Sequence, residues 1–172
     1  MMLKQIKIIV ITGTPGIGKT ETAKRLLDYC PERTVSFDTD ELAYIHPWKF
    51  DNDFYRLVGA NLRAVIHNAY RWRASLILVN GVIIPGGIYD QLHKLLRNPA
   101  FTWSFYGLQT NQQTIEQRAQ NDAKLRNVSL TLQSFHCNAL VREVPGCHLI
   151  DTTHLSLEQV VDIIARSEGL GA

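Results

Sequence analysis

Short β-branched runs alternate along the chain with longer stretches whose apolar residues recur at helical spacing. Ile6, Ile8, Ile9, Val10 and Ile11 form a run of the kind a strand buried on both faces shows. After Thr20, the segment ETAKRLLDYC spaces Ala23, Leu26, Leu27 and Cys30 for a helix. A turn at Pro31 and Glu32 precedes a short second strand, Arg33 to Phe37. Pro47 ends any helix begun at Glu41. Asp51 or Asp53 then caps a helix of about five turns carrying Tyr55, Leu57, Val58, Leu62, Val65, Ile66 and Ala69. Ser75 to Gly81 is a third strand, apolar enough to be central, followed by VIIPGG and a helix from Ile88 to Leu96. Phe101 to Leu108 is the fourth strand. Gln112 to Asn127 reads as a polar helix with too few apolar residues to bury much. A helix over Leu130 to Val141 and a fifth strand over Cys147 to Thr152 follow. Ser156 caps a last helix that turns Leu157, Val160, Val161, Ile163 and Ile164 to the core. Five strands alternating with helices predict an α/β fold, a parallel sheet with helices on both faces.

Composition narrows the class. At 172 residues the chain, 1–172, suits one domain with a real core. Hydrophobic residues at 45% and charged ones at 20% describe an ordinary soluble globular chain. A formal charge of +2, evenly scattered, gives no nucleic-acid or membrane footprint. Cys30, Cys137 and Cys147 are odd in number and share no metal-like spacing, so they read as reduced thiols in a cytoplasmic protein. No apolar run is long enough to span a bilayer, and Lys4 and Lys7 flank the first strand where a signal peptide would be uninterrupted.

Between the first strand and the first helix lies GTPGIGKT, Gly13, Thr14, Pro15, Gly16, Ile17, Gly18, Lys19 and Thr20. It fits the phosphate-binding pattern G-x-x-x-x-G-K-[ST] with no mismatch, in the strand–loop–helix context the pattern needs. The glycines let the backbone approach phosphates closely. Lys19 would reach the β- and γ-phosphates, and the Thr20 hydroxyl would ligate Mg²⁺. Glu21 continues the loop into the helix.

The second strand ends in Asp38-Thr39-Asp40-Glu41, on the edge of the sheet where α/β folds place ligands. Two carboxylates there can divide two tasks, one holding Mg²⁺ and one accepting a proton from an attacking hydroxyl. Either could instead cap a helix. The third strand ends in Asn80-Gly81 rather than the aspartate common in phosphate-loop proteins, which argues against a motor-type or GTPase-type hydrolase. Gly86 and Gly87 suit either a close approach to a ligand or a loose turn. The connection from His46 to Phe54 and the helix after it offer Trp48, Arg56 and Arg63, with Gly81 nearby, as candidates for shaping an acceptor pocket. The polar helix carries Arg118, Lys124 and Arg126 and reads as a lid over about 112–130. Closing it would bring an arginine to the charge on a transferring group.

With these features in order, the chain resembles the small P-loop kinases. It looks most like the chloramphenicol phosphotransferase family and more distantly like shikimate and gluconate kinases. The resemblance rests on FDTDELAYIHP, FYRLVGANLRAVIHNAYRWRASLILVNGVIIPGG and VPGCHLIDTTHLSLEQ in addition to the loop. It implies a three-layer α/β/α fold with sheet order 2-3-1-4-5 and transfer of the ATP γ-phosphate to a hydroxyl of a small molecule such as an antibiotic or nucleoside. Carried over by position, Asp40 matches the acceptor's base and Asp38 the metal aspartate of shikimate-type kinases. Arg118 and Arg126 match lid arginines, while Asp151, Thr152 and Thr153 fall where the adenine is contacted. The implied cofactors are ATP and Mg²⁺, in a monomer or homodimer. A nucleoside monophosphate kinase, with Arg56 and Arg63 on a second phosphate, and a nucleotide-binding regulator without chemistry are the alternatives.

Overall fold

The structure, a computed structural model, describes residues 5–47, 49–121 and 134–171. Its sheet has five parallel strands: β1 Ile6–Gly13, β2 Thr34–Asp38, β3 Leu76–Gly81, β4 Phe101–Gln109 and β5 Cys147–Asp151. They lie in the order β2-β3-β1-β4-β5, as the resemblance implies. Period-2 alternation along β1 feeds two cores at once. Ile8 and Val10 join the cluster under α2 (Asn52–Arg71), with Val58, Leu62 and Ile66. Ile9 and Ile11 join the opposite cluster, with Ala23 and Leu26 of α1 (Lys19–Leu26) and Val160, Val161 and Ile164 of α7 (Leu157–Glu168). This is the three-layer arrangement, and every strand's carboxyl end opens on one edge.

Two caps fix the long helices. Asp51 Oδ1 accepts from the N–H groups of Asp53 and Phe54 at 3.1 and 3.0 Å, so Asp51 is the cap of α2. Ser156 Oγ accepts from Gln159 N at 3.2 Å while Gln159 Oε1 accepts from Ser156 N at 2.8 Å, a reciprocal capping box.

Several elements differ from the sequence reading. β2 starts at Thr34 because Arg33 has φ 62°, outside the extended region. Ile88 to Leu96 is two short helices, α3 (Ile88–Gln91) and α4 (His93–Leu96), joined at Leu92 with φ −92° and ψ −5°. The 134–143 stretch is α6 (Cys137–Leu140) between two 3₁₀ turns. The first residues of the expected helix there lie outside the described ones. Leu57 and Ile163, expected in the core, are 43% and 41% exposed, each one position off its helix's buried stripe. The largest correction concerns α5 (Gln112–Asn121): polar as it is, it buries Ile115 and Ala119 fully, so it is docked onto the body rather than lying free. Arg126, Lys124 and Trp48 lie outside the described residues.

Candidate active site

The phosphate loop leaves β1 at Gly13, where a Cβ would come within 2.8 Å of the Leu108 carbonyl oxygen and 2.9 Å of Ile17 Cγ2. Only glycine fits there. Gly18, the residue before α1, has φ 103°, which L side chains rarely adopt, and has open space above it. Lys19, the first residue of α1, is buried, and its Nζ donates to the Thr14 carbonyl at 3.0 Å. Burial pushes the Lys19 ammonium below its ordinary pKa, while Asp40 and then Asp38 pull it back up. A desolvated cation bonded into the phosphate loop at the Thr14 carbonyl is suited to a polyphosphate.

Asp38 closes the first ring of contacts. Its Oδ2 accepts from Thr20 Oγ1 at 2.8 Å and from Asn80 Nδ2 at 2.6 Å, and Asn80 Nδ2 lies 3.3 Å from Thr20 Oγ1. Its Oδ1 accepts from Asp40 N at 2.9 Å, so the same carboxylate also caps the 3₁₀ turn Thr39–Glu41. The capping reading of the sequence thus falls on Asp38. Thr20 and Asp38 together offer hard oxygen donors at one point, which suits Mg²⁺ completed by phosphate oxygens and water. No group of three or more His, Cys, Asp or Glu side chains poised for a metal occurs among the described residues. The sequence read Asn80 only as a missing aspartate. In the sheet it pairs in register with Asp38 and orients the Thr20–Asp38 pair; a polar residue ending an otherwise apolar strand was the signal.

Asp40 sits on the same turn. Burial raises its carboxyl above the ordinary value of 3.8; Lys19 opposes that, and Asp38 and Glu41 add to it. A carboxylate of raised pKa beside the phosphate lysine is placed for proton acceptance. Gly81, expected on the acceptor side, has a packing duty. A Cβ there would fall 1.8 Å from Thr39 Oγ1, so its absence seats the 3₁₀ turn that carries Asp40 against β3.

The nucleotide side is a cavity of about 660 Å³. Gly16, Gly18, Glu21, Arg118, Thr152 and Thr153 are among the residues that line it. Arg118 spans it: Nη2 donates to the Thr152 carbonyl at 2.7 Å, and Nη1 to Thr152 Oγ1 at 3.0 Å and the Ile17 carbonyl at 3.4 Å. The guanidinium is thus fastened between the loop after β5 and the phosphate loop at Ile17. Asp151 does not line this cavity. Its Oδ1 accepts from Thr153 Oγ1 and N at 2.6 and 2.9 Å, bonds that hold its carboxyl below the usual range and shape the loop. Behind the loop, Gln109 is a hub that sequence reading missed. Its backbone oxygen accepts from Thr152 N at 2.7 Å and Oγ1 at 3.1 Å, and its side chain joins the Asn138 carbonyl at 2.9 Å to Arg142 Nε at 3.2 Å.

The acceptor-side arginines are not brought to the centre. Arg56 pairs with Asp53 at 3.5 Å on the surface of α2, and Arg63 Nη1 donates to the Gln91 carbonyl at 2.9 Å. Arg63 therefore rivets α2 to α3 at the point where Gly59 abuts Gln91.

The chain shares this fold with a tunicamycin resistance protein of Deinococcus radiodurans at 21% identity, over 98% of this chain and 99% of that one, TM-score 0.67. A gluconokinase of Sinorhizobium meliloti 1021 superposes at 15% identity, 96% and 97% coverage and TM-score 0.68. A sugar kinase of Janibacter sp. HTCC2649 does so at 14% identity, 96% and 95% coverage and TM-score 0.75. No family model matches the sequence, and no curated protein sequence does. No described helix is long and apolar enough to cross a membrane.

Proposed function

We propose that the protein is a phosphotransferase that moves the γ-phosphoryl group of ATP to a hydroxyl of a small-molecule acceptor. The observation that carries this reading is the Lys19–Thr20–Asp38–Asp40 constellation. It joins a buried loop lysine and a hydroxyl at the start of α1 to a carboxylate pair at the end of β2, one of them bonded to that hydroxyl and the other of raised pKa. The solved kinases of the same fold add to its support.

In this mechanism Lys19 leaves the Thr14 carbonyl for the phosphate oxygens, and the amides of Gly16 to Thr20 cradle the polyphosphate. Thr20 and Asp38 would hold Mg²⁺, which would neutralise phosphate charge. Asp40 takes the proton of the acceptor hydroxyl. The acceptor oxygen bonds to the γ-phosphorus as the bond to the β–γ bridging oxygen breaks, releasing ADP and a phosphoryl ester. Arg118 holds the nucleotide from the base side, and Arg126 is assigned by resemblance to the developing charge. Thr152 and Thr153 flank the base, and ATP is the expected nucleotide.

A coupled assay for ADP release over alcohols, nucleosides and nucleoside monophosphates tests this. Turnover of a hydroxylated acceptor, abolished by Lys19→Ala, is the expected result. Turnover restricted to monophosphates would move the protein to the nucleoside monophosphate kinases. ATP binding with no acceptor turned over by a broad panel would favour a regulator without chemistry.

A further inference from the structure

Behind the loop that follows β5 lies a second cavity of about 370 Å³, whose wall contains none of Lys19, Thr20, Asp38 or Asp40. It meets the nucleotide cavity only at Thr153, which lines both. Every described residue of its wall is polar. Gln109 and Thr110, at the end of β4 and just after it, are the buried part of that wall. Asn138 of α6, Arg142 of the turn after it and Asp151 of β5 converge on the same space.

The amides of this wall are held by partners that can only donate. Thr110 N donates to Asn138 Oδ1 at 3.3 Å, Thr114 N to Asn111 Oδ1 at 2.8 Å and Arg142 Nε to Gln109 Oε1 at 3.2 Å. Backbone N–H and guanidinium groups have no acceptor capacity, so these bonds fix which way each amide points. Gln109 Nε2 is engaged by the Asn138 carbonyl at 2.9 Å. The hydroxyl protons are engaged too. Thr153 donates to Asp151 Oδ1 at 2.6 Å, which leaves Thr110 to donate to Thr153 at 3.2 Å. Among the described residues, the groups without a partner are the NH₂ groups of Asn138 and Asn111, both Nη groups of Arg142, the His154 ring and Asp151 Oδ2. Thr153 holds the Asp151 carboxyl below the usual range, so it stays charged. Arg142 and Asp151 therefore share one cavity without forming an ion pair with each other or with another described residue. A guanidinium fork and a carboxylate that do not meet leave room for a ligand that joins them.

We propose that this cavity binds a small polar zwitterion, a free α-amino acid with a short polar side chain, its carboxylate on Arg142 and the Asn138 amide and its ammonium on Asp151 Oδ2. The planar fork of an arginine suits a carboxylate. A ligand with one charge would meet like charge at Asp151 or at Arg142, whereas a zwitterion meets each with its opposite. An all-polar wall gives an apolar side chain nothing to bury against. With Lys19 and Asp40 outside its wall, the site is separate from phosphoryl transfer and does not depend on the phosphotransferase reading.

The test is a titration of the isotope-labelled full chain with L-serine and three probes. L-Glycerate replaces the ammonium by a hydroxyl, ethanolamine lacks the carboxylate, and L-leucine is a zwitterion with an apolar side chain. Binding is read from the backbone amides of Thr110 and Thr153 and the side-chain amides of Asn111 and Asn138. L-Serine is expected to shift them and to bind at least about tenfold more tightly than glycerate or ethanolamine, the scale of one charge-assisted bond. L-Leucine should bind more weakly than serine. Asn138→Asp keeps the oxygen that Thr110 N needs but loses the amide donors, and should abolish binding. Asp151→Asn keeps an oxygen for Thr153 but loses the charge, and should erase the preference for serine over glycerate. Lys19→Ala should bind serine as the parent chain does. Glycerate or ethanolamine binding as tightly as serine overturns the zwitterion, and leucine doing so overturns the polar side chain. Failure of serine to shift these amides at millimolar concentration overturns the site. So do unchanged binding in Asn138→Asp and shifts centred on Lys19 and Asp40 that vanish in Lys19→Ala.

Discussion

On the nucleotide side of the cleft the polar side chains reach the backbone: Arg118 the carbonyls of Thr152 and Ile17, Gln109 that of Asn138, Lys19 that of Thr14. On the acceptor side they reach one another at the surface, as Lys49 does Asp51 and Arg56 does Asp53, or rivet helices, as Arg63 does. A site built on backbone carbonyls and glycine-shaped turns is fixed by the fold, and it accepts the same ligand wherever the fold recurs. A site walled by side chains of one long connection and the first turns of α2 is free to change with the sequence. On the proposed function, such a division would let one fold keep its phosphate site while the acceptor wall changes.

The comparison breaks most visibly at Lys19, which both sides share. Lys19→Ala is expected to abolish both nucleotide binding, measured by calorimetry, and turnover; retained ATP affinity would show that the loop backbone alone holds the phosphates. Asp40→Asn separates the sides. ATP binding should stay nearly intact while the rate falls about 10²–10⁴-fold, the usual loss for a general base. The wild-type rate should climb with pH as Asp40 loses its proton, with a midpoint above the ordinary carboxylate value of 3.8 because burial raises it. Asp40→Asn should remove that acid limb, and a limb that persists in the variant would assign it to another group. Arg118→Ala is expected to raise the KM for ATP about tenfold with a smaller change in kcat, the cost of a few charge-assisted bonds. A fall concentrated in kcat would mean that Arg118 leaves Thr152 and reaches the transferring phosphoryl group.

How much of this was legible follows the same division. Gly13 to Thr20 is readable from residue types alone, because backbone approach to an anion demands glycines at fixed offsets. The sheet order follows from apolar runs and from the resemblance. Asp38 and Asp40 are readable as a pair, but their division of labour needs the register that sets Asp38 beside Asn80. Gln109 and Asn138 were invisible because their roles arise from contacts between segments 28 or more positions apart, and nothing in their local pattern marks them. Ile115 and Ala119 show the opposite error. Two small apolar contacts suffice to dock α5 once Arg118 is anchored, although its average polarity suggested otherwise.

A control remote from both sides sharpens the contrast by changing stability alone. Tyr106, buried in β4, donates its hydroxyl to Glu168 Oε1 at 2.6 Å and accepts from Ser167 Oγ at 2.9 Å, and Glu168 also pairs with Lys7. Burial and then the Glu168 carboxylate push the phenol from 10.0 to about 12. An acid whose folded pKa is raised contributes stability that is complete below its unfolded value and lost as pH rises through the folded one. Tyr106→Phe should therefore cost about 1–3 kcal/mol in urea melts at neutral pH, the range for a bond to a charged group. That gap should hold up to pH 10.0 and shrink toward pH 12. The KM for ATP and the acceptor preference should not move, since the hydroxyl binds α7 and not the cleft. A shift in either would show that the seating of α7 reaches the Thr152–Thr153 loop, and the two sides would then share more of the scaffold than Lys19.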